Sequence, residues 1–253
     1  MSDTAPGRRI AMWSGPRNIS TALMRAWGSR PDTAVCDEPL YAFYLSRTGA
    51  PHPGRERIIA SGDTDWRSVV TRLTGPIPGG RSIFYQKHMA HHLLPEVGRA
   101  WLGRLSHAFL IRDPRKMLTS LLRVLPEPRL EDTGLPQQRR LVAELSKAGG
   151  GPPPVLDARD VLEQPEAMLR ALCAALDVPF LEAMLSWAPG PRDTDGPWAD
   201  IWYGAVERSA GFEPYRPKPD AVPERLAGLL DACETIYRDL HALRLTPGPP
   251  ATP

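Results

Sequence analysis

Eight consecutive residues, Ser14-Gly15-Pro16-Arg17-Asn18-Ile19-Ser20-Thr21, place a glycine-bearing loop, one cation and two hydroxyls where an apolar run ends and a helical pattern opens. Free N–H groups at a helix start, the helix dipole and a guanidinium fork together suit a phosphate-like anion. The spacing is not that of a Walker A loop. Counted from Gly15, Ser20, Thr21 and Ala22 stand where glycine, lysine and Ser/Thr are required, and the loop's cation, Arg17, lies upstream of the helix. An ordinary magnesium-ATP enzyme is therefore disfavoured. A second segment repeats the design: Ala108 to Ile111 read as a buried strand ending in Arg112, with Asp113 as N-cap and Pro114 at the first helical position. Ser120 follows Arg112 by eight residues, two turns into the helix, where its hydroxyl can join the guanidinium on one phosphate. Each segment alone also reads as ordinary βα structure, with Arg112 paired to Asp113 or capping a neighbouring helix.

Taken together the two segments resemble the sulfotransferase family, enzymes that use 3′-phosphoadenosine 5′-phosphosulfate (PAPS), and in particular its distant bacterial sulfotransferase-like branch. The family's first motif is typically P-K-S-G-T-T-W, and Pro16-Arg17-Asn18-Ile19-Ser20-Thr21-Ala22 occupies that place. Its second is an arginine at a strand end followed eight residues later by a serine, matched by Arg112 and Ser120. A strand and helix over residues 155–180 resemble a late family element, so the likeness runs over roughly residues 8 to 187. It implies that Arg17, Asn18, Ile19, Ser20 and Thr21 hold the phosphosulfate and that Arg112 and Ser120 hold the 3′-phosphate. It further implies a late basic loop over the nucleotide, for which Arg208, Ser209 and Lys218 are the candidates. Trp198, Trp202, Tyr203, Phe212 and Tyr215 crowd the same stretch, where a ring could stack on adenine, although Trp198, Trp202 and Val206, at helical spacing, read first as core. The first motif departs from the family at two positions. Arginine at 17 keeps the charge and changes its geometry. Isoleucine at 19 resists positive φ, which predicts a loop backbone unlike those that need glycine there.

Sulfuryl transfer requires a group that takes a proton from the acceptor. Glu38 follows the short Ala34-Val35-Cys36 run and so stands at a strand end near the anion loop; several sulfotransferases resemble this arrangement, with a glutamate as base. Lys87-His88 follows the strand-like 82–86 run, where cytosolic sulfotransferases carry Lys-x-His; here the histidine comes one residue early, a shift that exchanges sheet faces. The catalytic candidates are thus Glu38, His88, Arg17 and Lys87. Each has a structural alternative: Asp37 and Glu38 as caps of the next helix, Lys87 as a surface charge, His88 as a buried histidine, and His91-His92 as a polar helix end. With Cys36 remote from any second Cys/His cluster, no metal site is expected.

Apolar runs near 10–13, 34–36, 82–86, 107–111 and 154–157 alternate with helical patterns, predicting an α/β, P-loop-like three-layer fold: a mostly parallel sheet with helices on both faces. One domain is expected over 1–245, with loops at 46–64 and 125–136, a closing helix within 222–243, and a proline-rich disordered tail at 246–253. A net charge of +2 with scattered basic residues argues against general nucleic-acid binding. Three cysteines make no disulfide framework, and no long apolar run or signal segment is visible, so a cytoplasmic chain away from membranes is expected. The resemblance implies transfer of a sulfuryl group from PAPS to a hydroxyl or amine of a small-molecule acceptor. The alternatives are a P-loop-type nucleotide kinase or phosphotransferase, and a nucleotide-binding homologue without transfer activity. Oligomeric state is not legible.

Overall fold

Ile10, Ala11, Met12 and Trp13 are all fully buried, the mark of a strand covered on both faces. In the computed structural model, which describes residues 7–149, 151–216 and 221–247, they form the centre of β1 (Arg8–Ser14). β2 (Thr33–Asp37), β3 (Ile83–Met89), β4 (Ser106–Ile111) and β5 (Val155–Asp157) complete a five-stranded sheet in the order β2-β3-β1-β4-β5. Every pairing is parallel. The chain moves outward from β1 to β2, returns through β3, and crosses to β4 and β5. Strand order therefore reverses around β1, and in such sheets ligands gather at the carboxyl ends beside the reversal.

Alternation along β1 divides two cores. Ile10 and Met12 pack with Leu23 and Trp27 of α1 (Ser20–Gly28), and this face also takes α7 (Ala158–Glu163) and α8 (Pro165–Ala175). Ala11 and Trp13 face α4 (Trp66–Thr74), α5 (Pro114–Leu121), α6 (Leu135–Lys147) and α10 (Ala227–His241). Between these, α2 (Tyr41–Thr48) and α3 (Arg55–Ser61) follow β2, and the short α9 (Ala199–Trp202) precedes Tyr203. Three layers result, as the sequence predicts.

The expected loop at 46–64 is corrected: it contains the end of α2 and all of α3. Gly49 (φ 66°) and Gly54 (φ 74°) take the left-handed turns between them, and Ile58 is fully buried, so prolines and glycines here punctuate helices and do not abolish them. His91-His92 opens no α-helix; it ends a single 3₁₀ turn, Ala90–His92, with both rings buried. α10 begins five residues later than the earliest expected start. The stretch before α9 is tied to α1 by a buried bidentate pair, Arg25 Nη1 and Nη2 to the Asp195 carboxylate at 2.5 and 2.6 Å. Among the described residues no helix is long and apolar enough to cross a membrane, and no cluster of three His, Cys, Asp or Glu is arranged to hold a metal. Lys218 and residues 248–253 of the expected tail lie outside the described residues.

Candidate active site

β1 delivers the anion loop to the carboxyl edge of the sheet. Gly15 is required there by packing, since a Cβ would stand 2.1 Å from the Thr133 carbonyl oxygen. Arg17 (φ 62°) and Ile19 (φ 59°, ψ 15°) are both left-handed, which corrects the expectation that isoleucine keeps the loop out of positive φ. Such a backbone costs about 1–3 kcal/mol at each non-glycine residue and persists only where its surroundings impose it. Here they do. Leu23 N–H donates to the Ile19 carbonyl, the Ile19 side chain packs on the core, and Asn18 Nδ2 donates to the Leu110 carbonyl at 3.3 Å.

The two segments singled out from the sequence, far apart in the chain, meet at this loop. Arg17 Nε donates to Ser120 Oγ at 2.9 Å and its Nη1 to the Trp202 carbonyl at 3.3 Å, while Arg112 Nη1 donates to the Arg17 carbonyl at 2.5 Å. Burial lowers the Arg17 pKa, and the charges of Arg112 and Arg123 lower it further. The buried Asn18 Oδ1 has no hydrogen-bond partner.

From Arg17 and Arg112 a cavity of about 310 Å³ runs to Glu38, Tyr41, His91 and His92. Glu38 (φ 39°) stands at the turn out of β2, its N–H donating to the Lys87 carbonyl. Lys87, 1% exposed, is no surface charge. Its ammonium donates to Asp37 Oδ1 (2.8 Å), Glu38 Oε1 (2.6 Å) and Tyr203 OH (2.6 Å), which uses all three of its protons. Tyr203 OH in turn donates to Asp37 Oδ2 (2.7 Å) and accepts from Trp198 Nε1 (2.9 Å). Burial raises the Glu38 pKa against the opposing pull of Lys87, and the two carboxylates raise that of Lys87 against its own burial.

A profile of the sulfotransferase domain matches residues 8–243. The chain belongs to the sulfotransferase family. Two Arabidopsis thaliana proteins, branched-chain-amino-acid aminotransferase-like proteins 2 and 1, are 33% and 35% identical to it over 232 and 233 residues. Each match takes in 92% of this chain but 41% of the relative, so the chain spans less than half the length of these curated relatives. The fold is shared with the sulfotransferase domain of the Synechococcus PCC 7002 olefin synthase (TM-score 0.52, 17% identity, 91% of this chain and 96% of that one). It is shared too with a sulfotransferase from Alicyclobacillus acidocaldarius (TM-score 0.56, 13% identity, 96% and 98%).

In this sulfotransferase-family chain the cavity gathers most of the residues singled out from the sequence: Arg17 to Thr21, Glu38, Lys87, Arg112 and, through Arg17, Ser120. Others stand apart. Strand alternation turns Lys87 and Met89 to the cavity and His88 away from it. The His88 ring stacks on Trp13 at 4.3 Å with Nε2 3.3 Å from Gln86 Oε1. Ser209 lines the cavity, yet its Oγ donates to the Val206 carbonyl (2.7 Å) and accepts from Trp187 Nε1 (3.1 Å), so its hydroxyl already closes its own turn. Arg208 is exposed and outside the lining. Trp202 and Tyr203, of the aromatic stretch that offers a stacking ring or core, line the cavity, as do Tyr41 and His52, which were not singled out for it. Adjacent histidines one step past a strand end were the available signal for His91 and His92, and the aromatic-rich stretch was that for Tyr203; nothing local gave Tyr203 its partners Lys87 and Asp37.

The buried histidines make a pH prediction. Burial first, and His107 second, push His88 down to about 3; burial and His52 do the same to His91. Both are neutral in folded and unfolded chains above about pH 6.5. As pH falls below that value the unfolded chain takes up protons that the folded one refuses until about 3. Stability is then lost at up to about 1.4 kcal/mol per pH unit for each histidine. Glu38, with its pKa raised, acts with the opposite sign. His88→Gln isolates the effect: urea midpoints followed from pH 7.5 to 5 should fall less steeply than in wild type, and parallel curves would refute it.

Proposed function

We propose that this chain moves a sulfuryl group from PAPS to a hydroxyl or amine of a small-molecule acceptor. The observation that carries this reading is the meeting of Arg17, Arg112 and Ser120 at one end of a cavity whose other end holds a buried carboxylate. The residues present fit the donor. Two guanidiniums and the N–H groups that open α1 are donors suited to phosphate and sulfate oxygens. PAPS, when bound, supplies the sulfuryl group and a phosphate leaving group.

The chain's own part is to hold and orient. Arg17, Asn18, Ser20, Thr21 and the Ile19 backbone hold the phosphosulfate, and their donors stabilise charge as it moves toward the leaving phosphate. Arg112 and Ser120 hold the 3′-phosphate. Because Arg17 already touches Ser120 and its carbonyl touches Arg112, the two phosphate positions are set relative to one another before any ligand arrives. Glu38 supplies a negative charge at the end of the cavity where the acceptor's proton is released. His88 has no part in this scheme, facing away from the cavity, and Ser209 serves its own turn.

Calorimetry with 3′-phosphoadenosine 5′-phosphate, in the absence of magnesium and against ATP as comparison, tests the reading. Micromolar binding of the bisphosphate with ATP much weaker is the expected result. Folded protein that ignores the bisphosphate would overturn it, and tighter ATP binding that needs magnesium would favour a nucleotide kinase instead.

A further inference from the structure

Glu38 has both carboxylate oxygens directed at protein groups. Oε1 accepts from Lys87 Nζ at 2.6 Å, and Oε2 faces His92 Nδ1 at 4.0 Å. The cluster around it is unbalanced in charge: two buried carboxylates, Asp37 and Glu38, share the single ammonium of Lys87, while Tyr203 and Trp198 contribute neutral donors. With both carboxylates ionised, one negative charge is left over in a place where burial makes it costly.

His92 is placed to meet that charge. It is 2% exposed, lines the cavity, and its Nδ1 has no hydrogen-bond partner. Its ring cannot turn freely: Tyr41 stacks on it at 4.5 Å with 12° between planes, Tyr44 at 4.7 Å, and His91 meets it edge-on at 4.4 Å. A neutral imidazole carries one N–H, and the ring nitrogen that faces a carboxylate is the one that keeps it. That leaves the lone pair on Nε2. At 4.0 Å this is an electrostatic contact and not yet a hydrogen bond; catalytic contacts are often long in the ligand-free protein and tighten in the substrate complex.

We propose that His92 Nε2 takes the acceptor's proton, and that Glu38 is a positioning residue that fixes the His92 tautomer and balances the imidazolium; this rests on the sulfuryl-transfer reading above. In the step so assigned, an acceptor lone pair forms the new bond to sulfur. The bond from sulfur to the donor's phosphate oxygen breaks, with its electron pair staying on the phosphate, and the acceptor's proton passes to Nε2. The imidazolium returns its proton to water after the product leaves. Burial first, then His91, His52, Lys87 and His88, hold the His92 pKa well below the usual histidine range, so the resting ring is neutral and able to accept. The excess charge of the Asp37–Glu38–Lys87 cluster is what makes the imidazolium tolerable once formed. Around His92 the titratable and charged groups are Glu38 after β2, Tyr41 and Tyr44 on α2, His52 before α3, Lys87 and His88 in β3, and His91 in the turn that follows it.

Long-range nitrogen–proton NMR on histidine-labelled protein reads the tautomer directly. Wild type at neutral pH should show His92 protonated on Nδ1 with Nε2 bare, and Glu38→Gln should convert it to a mixture or to the Nε2–H form. A wild-type ring protonated on Nε2, or a spectrum indifferent to Glu38→Gln, overturns the proposal; the wild-type spectrum decides alone if the variant does not fold. Titrating the same wild-type sample with 3′-phosphoadenosine 5′-phosphate tests the nucleotide reading separately. Failure of that binding with an Nδ1–H tautomer would sink the sulfuryl-transfer reading and leave the Glu38–His92 pairing standing.

Discussion

Lys87→Met should destabilise the fold by about 3–5 kcal/mol at neutral pH, the cost of removing one partner from a buried ion pair. The size follows from what the ammonium does. It is 1% exposed and donates to Asp37, Glu38 and Tyr203, all within 2.8 Å, and methionine fills a similar volume without a donor. Two buried carboxylates would then stand side by side without a cation, and like charges that close cannot both ionise. Their pKa values must rise in the folded variant. A raised folded-state carboxyl pKa costs stability above that pKa and costs none below the unfolded value, so the deficit should shrink as pH falls from 7.5 toward 4.5. Urea unfolding of wild type and variant at several pH values checks both claims. An unchanged midpoint at pH 7.5 would show that the network contributes nothing to the fold, and a deficit that does not vary with pH would show that packing alone was lost.

Arg112→Ala should weaken 3′-phosphoadenosine 5′-phosphate binding about 10–150-fold, the equivalent of the roughly 1.5–3 kcal/mol carried by a hydrogen bond to a charged group. Two effects add. The variant loses a guanidinium assigned to the 3′-phosphate, and it loses the 2.5 Å bond to the Arg17 carbonyl that helps hold Arg17 at φ 62°. Ser120→Ala removes a neutral hydroxyl and frees Arg17 Nε, so its effect should be smaller, roughly 3–10-fold. Calorimetric titration of the three proteins under one ionic strength measures the series, and thermal unfolding confirms that each is folded. Wild-type affinity in Arg112→Ala would remove the 3′-phosphate assignment and leave the arginine as a clasp on the anion loop.

The two ends of the cavity differ in how far they could be read from the chain. Both anion-binding segments were legible because each is local: an apolar strand, a loop with its cation, a helix start. The Arg112–Ser120 spacing needs only one helix, and Glu38 needs only a strand end before it. The strands were legible for the same reason, since parallel strands buried on both faces tend to read as apolar runs; β3 does so only in its first half, before the buried polar residues Gln86, Lys87 and His88. The helix α3 was not. Its seven residues, Arg55–Ser61, lie among prolines and glycines, and one buried isoleucine gives too little periodicity to show.

What the sequence by itself determined is therefore the sheet, the anion loop and the family to which they belong. Tertiary structure alone decided the rest. Nothing near Ile19 announces a left-handed backbone; the core beneath it and the chain across from it impose one. Nothing near Lys87 distinguishes a surface charge from a saturated buried ammonium, because its partners Asp37, Glu38 and Tyr203 lie 50, 49 and 116 residues away. His88 and His92 look alike in sequence, yet strand alternation buries one against Trp13 and chain reversal after Met89 sets the other beside Glu38. Local spacing fixes which groups a segment can offer. Burial, charge balance and the face a side chain occupies depend on what the rest of the chain places around it.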